Sequence, residues 1–155
     1  MENRIEKAVS LFKEGYNCSQ SVVAAFADIY GFSHEQALKM SASFGGGIGR
    51  MRQTCGAACG LFLLAGLETG CTEGKNREGK EANYRFVQKL AEEFRQRNGS
   101  LMCNKLLGLD TNSETPPTPE ARTDDYYKKR PCVKIVEEAA RIWDEYLHEK
   151  DKPEN

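Results

Sequence analysis

The residues in this sequence best equipped for chemistry are its six cysteines. Three fall in one stretch, "RQTCGAACGLFLLAGLETGC", as Cys55, Cys59 and Cys71; Cys18, Cys103 and Cys132 stand far apart. Local signals place four of them alike. Cys18 follows Asn17 and Cys55 follows Thr54, both helix-capping residue types. Cys103 falls in the first turn after Ser100, and Cys132 follows Pro131, a residue type that favours the first helical position. A helix's first turn carries unpaired N–H groups and the positive end of the dipole, which lower a thiol's pKa. For any one of these cysteines, burial as a small apolar residue is the plain explanation. Four such placements on four helices point to a shared site.

Four thiolates suit an iron–sulfur cluster, whose anionic sulfurs are stabilised by surrounding N–H donors. They also suit a structural zinc, although the close CxxC pairs usual there are absent. A pair closing as a redox disulfide is the third use, with Cys55 and one of the other three as the expected partners. The metal readings require all four sulfurs to meet in one pocket. Cys55 is expected to be the most reactive thiol, because Thr54 and the following N–H groups favour its thiolate. Cys59, one turn later on the same face, is expected to line the pocket without being a ligand, and Cys71 to be peripheral.

The stretch "FGGGIGRMRQ" precedes Cys55. Its closely spaced N–H groups could cradle an anion. It follows no strand and lacks the Lys-Ser/Thr of a P-loop, so a nucleotide is not expected. In the plain reading it is a tight connection in which Gly45, Gly46 and Gly47 supply positive φ angles. In the functional reading these glycines, with Gly56, let backbone approach a cofactor held by Cys55, and Arg50 and Arg52 add positive charge; solvated arginines are the alternative. His34 and His148, the only histidines, have no ligand-like spacing and read as solvent-facing. No CxxCH occurs, so haem is not expected.

The elements that must position these residues have a helical period almost throughout. Ile5, Ala8, Val9 and Phe12 form one helix, stopped at Gly15. Asn17 caps a second, carrying Val22, Val23, Phe26 and Ile29 to Gly31. Ser33 and Gln36 form a capping box for a third. Thr54 caps the fourth. A long amphipathic helix spans about 78–97 with Tyr84, Val87, Leu90, Ala91 and Phe94 on its apolar face. A short helix follows near 102–107, and Pro131 opens the last. The Pro/Thr-rich loop at 109–123 is long for a compact domain, so it is either mobile or wrapped over a surface. The expected fold is an all-α, single-domain bundle of six or seven helices over 1–150, with a tail at 151–155.

Composition narrows the function classes. The 155 residues are 39% hydrophobic and 29% charged, with a net charge of -1. That balance gives no broad attraction to nucleic acid. The longest apolar run, Ala57–Leu67, is interrupted by glycines and falls short of the roughly 18 residues a bilayer span needs. The start, "MENRIEKAVSLFKEGYN", is charged and lacks the apolar core of a secretory signal. A cytoplasmic location is therefore expected, and there stable disulfides are the less common use of cysteine.

The blocks "GYNCSQSV", "CGAACG", "NGSLMCNKLLG" and "RPCVKIVEEAA" occur in that order. With them the chain resembles the redox-active C-GCAxxG-C-C family, whose members carry four defining cysteines and a CGAxxG motif. Here the motif is Cys55, Gly56, Ala57, two free positions and Gly60. The resemblance covers most of the chain. It implies redox chemistry at Cys18, Cys55, Cys103 and Cys132, without naming a substrate, and leaves Cys59 and Cys71 outside the defining set. A similar region in the split-Soret cytochromes holds a two-iron, two-sulfur cluster besides their haems. The resemblance thus implies such a cluster here, serving electron transfer or redox sensing with a redox partner protein. A metal-free thiol–disulfide enzyme or switch and a structural module with buried cysteines are the alternatives. A homo-oligomer is left open.

Overall fold

The computed structural model describes residues 3–109 and 115–153. Eight α-helices form among them: α1 (Arg4–Lys13), α2 (Cys18–Phe26), α3 (His34–Ser41), α4 (Gly56–Thr69), α5 (Arg77–Asn98), α6 (Cys103–Leu106), α7 (Asp124–Lys129) and α8 (Cys132–Lys150). The fold is all-α, and the described residues contain no strand beyond one isolated antiparallel bridge, Thr54 with Met102. None of the described helices is long and apolar enough to cross a membrane.

Helix α4 is apolar nearly all round, so it must be covered on most sides. Helix α2 packs along it, α1 and α8 pack on each other and on α2, and α5 closes the remaining side. Phe12, Val22, Phe26, Leu61, Leu64, Phe94 and Trp143 are fully buried between them. Gly60 lets α2 come close: a Cβ there would stand 3.0 Å from Val22 Cβ. Gly66, by contrast, lies on the exposed side of α4, and a Cβ there meets nothing within 4 Å. Gly66→Ala is expected to stabilise the chain by about 0.5–1 kcal/mol through helix propensity. A denaturant titration checks this, and a lowered midpoint would refute it.

Helix starts are set by local chemistry. Asn17 accepts from Gln20 N while Gln20 reaches back to the Asn17 N–H, and Ser33 and Gln36 make the same reciprocal box. Several expectations need correcting. The α-helix of α2 ends at Phe26 and tightens to a 3-10 turn over Ala27–Tyr30. The change from 3.6 to 3.0 residues per turn rotates Ile29 outward, to 44% exposure. Tyr84 is also exposed, because Asn83 takes the inward position and donates to Thr69 Oγ1 at 3.0 Å. Helix α7 was not expected. Thr123 caps it by accepting from Tyr126 N, with Asp124 and Asp125 in its first turn and Lys128 and Lys129 in its last. Of the loop expected at 109–123, residues 110–114 lie outside the described residues, as do 154 and 155 of the expected tail. Residues 115–121 are exposed and irregular, with a bend at Pro117 and Thr118, and they run to α7.

Candidate redox site

Four helix starts meet at one end of the bundle. Cys18, Cys103 and Cys132 are the first residues of α2, α6 and α8, and Cys55 is the residue capping α4. The expected cap for α4, Thr54, is one residue too early, since Thr54 is held in the bridge to Met102. The four cysteines line one cavity of about 400 Å³, with Phe12, Leu106 and Ile135 as part of its apolar wall.

The bridge fixes the register of two of them. Cys55 N donates to Leu101 O at 2.7 Å, and Cys103 N donates to Gln53 O at 2.6 Å. Cys55 and Cys103 are therefore diagonal neighbours on the same face of an antiparallel crossing. Cys18 and Cys132 are brought together by the packing of α2 on α8, close enough for their thiols to influence each other's proton. That interaction holds the proton on Cys18, whose thiol is pushed well up. Cys132 is favoured as thiolate by it, and with Arg130, Arg122 and Arg52 nearby its thiol falls to about 7 against the opposing effect of burial.

Burial dominates at the other pair. The Cys55 thiol is pushed up to about 12; the N–H groups of Ala57 and Ala58 pull the other way without completing a capping hydrogen bond. Burial raises the Cys103 thiol too, and Arg52 opposes this by donating from Nη1 to its sulfur at 3.6 Å. Thiolate is thus favoured at Cys132 rather than at Cys55, where the most reactive thiol was expected. A first turn favours thiolate only where desolvation does not outweigh it. The direct thiol–thiol interaction is also between Cys18 and Cys132, rather than in a pair containing Cys55. All six cysteines are free thiols. Among the described residues no three His, Cys, Asp or Glu side chains are grouped so as to hold a single metal ion.

Gly45, Gly46, Gly47 and Gly56 all line the cavity. Gly46, Gly47, Ile48, Gly49 and Arg50 have consecutive φ values of 68, 75, 66, 55 and 63°, and Arg52 follows at 59°. Each non-glycine residue there costs about 1–2 kcal/mol. That strained run turns Arg50 and Arg52 toward the cavity, which both line. Gly45 does not share the expected positive φ; at -64° its requirement is room, since a Cβ would meet Asn17 Nδ2 at 2.4 Å. A Cβ on Gly47 would stand 2.6 Å from Cys103 Cβ, and one on Gly56 would stand 3.3 Å from Cys18 Cβ. Backbone thus approaches two of the cysteines as closely as glycine permits. Gly47→Ala combines overpacking with a disfavoured φ, so a loss of about 3 kcal/mol is expected. Thermal denaturation should show a drop of roughly 6–12 °C; an unchanged midpoint would contradict this packing.

Cys59 is buried but does not line the cavity; its thiol points back at Thr54 O, 3.8 Å away. Its bond is made to the carbonyl of Thr54, a residue outside the cavity lining. Cys71 lies apart, donating to Glu73 O at 3.6 Å. His34 and His148 are exposed and outside the site. Sequence reasoning missed Glu120, Arg122, Tyr126 and Arg130 in the cavity wall. The readable signal was the Thr123 cap with its acid-to-base polarity, which would have exposed α7 and turned the loop back onto the site.

No solved structure matches the chain. A protein of Archaeoglobus fulgidus described as uncharacterized is 26% identical over 148 residues, covering 91% of each chain. Residues 16–146 match the model of a family described as "Putative redox-active protein (C_GCAxxG_C_C)". That span contains all four converging cysteines, and the chain belongs to this C-GCAxxG-C-C family.

Proposed function

We propose that the chain is an electron-transfer or redox-sensing protein whose cavity holds a two-iron, two-sulfur cluster through Cys18, Cys55, Cys103 and Cys132. The observation carrying this reading is the delivery of four sulfurs to one cavity by four helix starts. Two irons take two thiolates each, and four cysteines line the one cavity. The cavity wall includes Arg50, Arg52, Arg122 and Arg130, a cationic lining suited to an anionic occupant. Gly47 and Gly56 keep Cβ atoms out of the way. When bound, the cluster supplies one-electron chemistry; the chain supplies ligands, N–H donors and shielding from water. A reducing cytoplasm fits six free thiols, and an electron donor or acceptor protein is the partner such a site needs.

The contact between Cys18 and Cys132 favours a second reading, a metal-free dithiol that closes as a disulfide. An ultraviolet–visible spectrum of protein purified without oxygen, with a thiol titration after mild oxidation, separates the two. Visible charge-transfer absorbance is expected. A colourless protein losing two thiols on oxidation would replace the cluster with the disulfide.

A further inference from the structure

The wall of the cysteine cavity includes a segment that the redox reading does not use. Residues 115–121 are all exposed, yet Pro117, Pro119 and Glu120 face the cavity. The segment buries no side chain, so no hydrophobic burial holds it down. Its attachments are polar and few. Arg50 Nη1 donates to Pro116 O at 2.7 Å and also to Thr118 O. Arg50 Nη2 stands 3.8 Å from the Glu120 carboxylate, which also pairs with Arg130. Past the segment the chain is anchored differently. Arg122 donates to Phe12 O at 2.8 Å and Tyr16 O at 3.0 Å, and stacks over the Phe12 and Tyr126 rings. One end is thus riveted, while residues 116–120 are held by two arginines of the cavity wall. Three prolines at 116, 117 and 119 stiffen the segment, so it moves as a unit.

We propose that residues 116–120 form a strap gating the cysteine cavity, latched by Arg50 and Arg130 on Glu120 and hinged at Arg122. Closed, it separates Cys18, Cys55, Cys103 and Cys132 from bulky reagents. Open, it admits them without disturbing the helix bundle, because nothing in the core depends on it. Segments with few buried contacts open at low free energy. The gate rests on this cavity being the redox site, but it acts whether the cavity serves a cluster or a dithiol.

The test is labelling of the full reduced, iron-free chain with a bulky maleimide, read at each cysteine by mass spectrometry, in wild type, Glu120→Gln and Arg50→Gln. The two substitutions change the local charge in opposite directions but break the same latch. Both are expected to speed labelling of the cavity cysteines about three- to tenfold, leaving Cys59 and Cys71 unchanged. Raising the salt to 1 M should do the same in the wild-type chain. Faster labelling in Glu120→Gln with slower labelling in Arg50→Gln would assign the effect to charge and overturn the gate. Unchanged rates, or equal acceleration at Cys59 and Cys71, would overturn it as well. Iron is not involved in this measurement, so a failed gate and a failed cluster assignment are told apart.

Discussion

A brief iodoacetamide pulse at pH 7 on the iron-free chain will label Cys132 ahead of Cys18, Cys103 and Cys55. The Cys132 thiol is lowered to about 7, whereas burial pushes the Cys55 thiol up to about 12, so at that pH the thiolate is concentrated at Cys132. The more basic thiolate is intrinsically the better nucleophile, which offsets only part of this difference. The sign of the pH dependence follows from the reacting form: labelling at Cys132 rises with pH through about 7 and then levels. Arg130, Arg122, Arg52 and the Cys18 thiol all face this sulfur. Cys18→Ala removes the largest of these effects and should move the Cys132 midpoint upward. Equal labelling of Cys55 and Cys132 across the pH range would contradict the asymmetry.

Much of this site was legible in the sequence because helix starts are local. Asn17 before Cys18, Ser33 with Gln36 and Pro131 before Cys132 announce themselves within a few residues, and from the first and last of them the placement of two of the cysteines follows. What was not legible depends on distant packing. The Thr54–Met102 bridge moves Cys55 from the first turn to the cap and pairs it with Cys103; no residue near position 55 encodes that. Desolvation works against a Cys55 thiolate, and only the folded core says that Cys55 is 5% exposed. Arg52 meets Cys103 through a left-handed run that places even Ile48 at positive φ, against that residue's preference. The Pro/Thr loop read as either mobile or wrapped over a surface, and the arginines that pin residues 116–120 come from far along the chain.

The second large effect is on cofactor retention. Cys55→Ser should abolish iron binding, and Cys71→Ser should leave it at the wild-type level. Cys55 lines the cavity on the face shared with Cys103; a serine hydroxyl there is a poor ligand for iron and loses a thiolate the donor set needs. Cys71 lies outside that cavity beside Gly79, where a Cβ would stand 2.8 Å from its sulfur. Cys59→Ser belongs with Cys71→Ser, because the Cys59 sulfur faces Thr54 O. Iron assays on the three variants, reconstituted side by side without oxygen, check the ranking. Comparable losses in all three would show that the four-cysteine assignment is wrong.

The central claim is that four separated cysteines form one cluster site, and its most direct test is a stoichiometry. Iron and acid-labile sulfide are measured per chain after anaerobic reconstitution of the wild-type protein and removal of loosely bound metal. About two irons and two sulfides per chain are expected for the two-iron, two-sulfur cluster; about four of each would contradict that cluster type, since four thiolates can hold either. Iron and sulfide both near zero, with the chain still folded, would contradict the cluster and leave the Cys18–Cys132 dithiol as the redox centre.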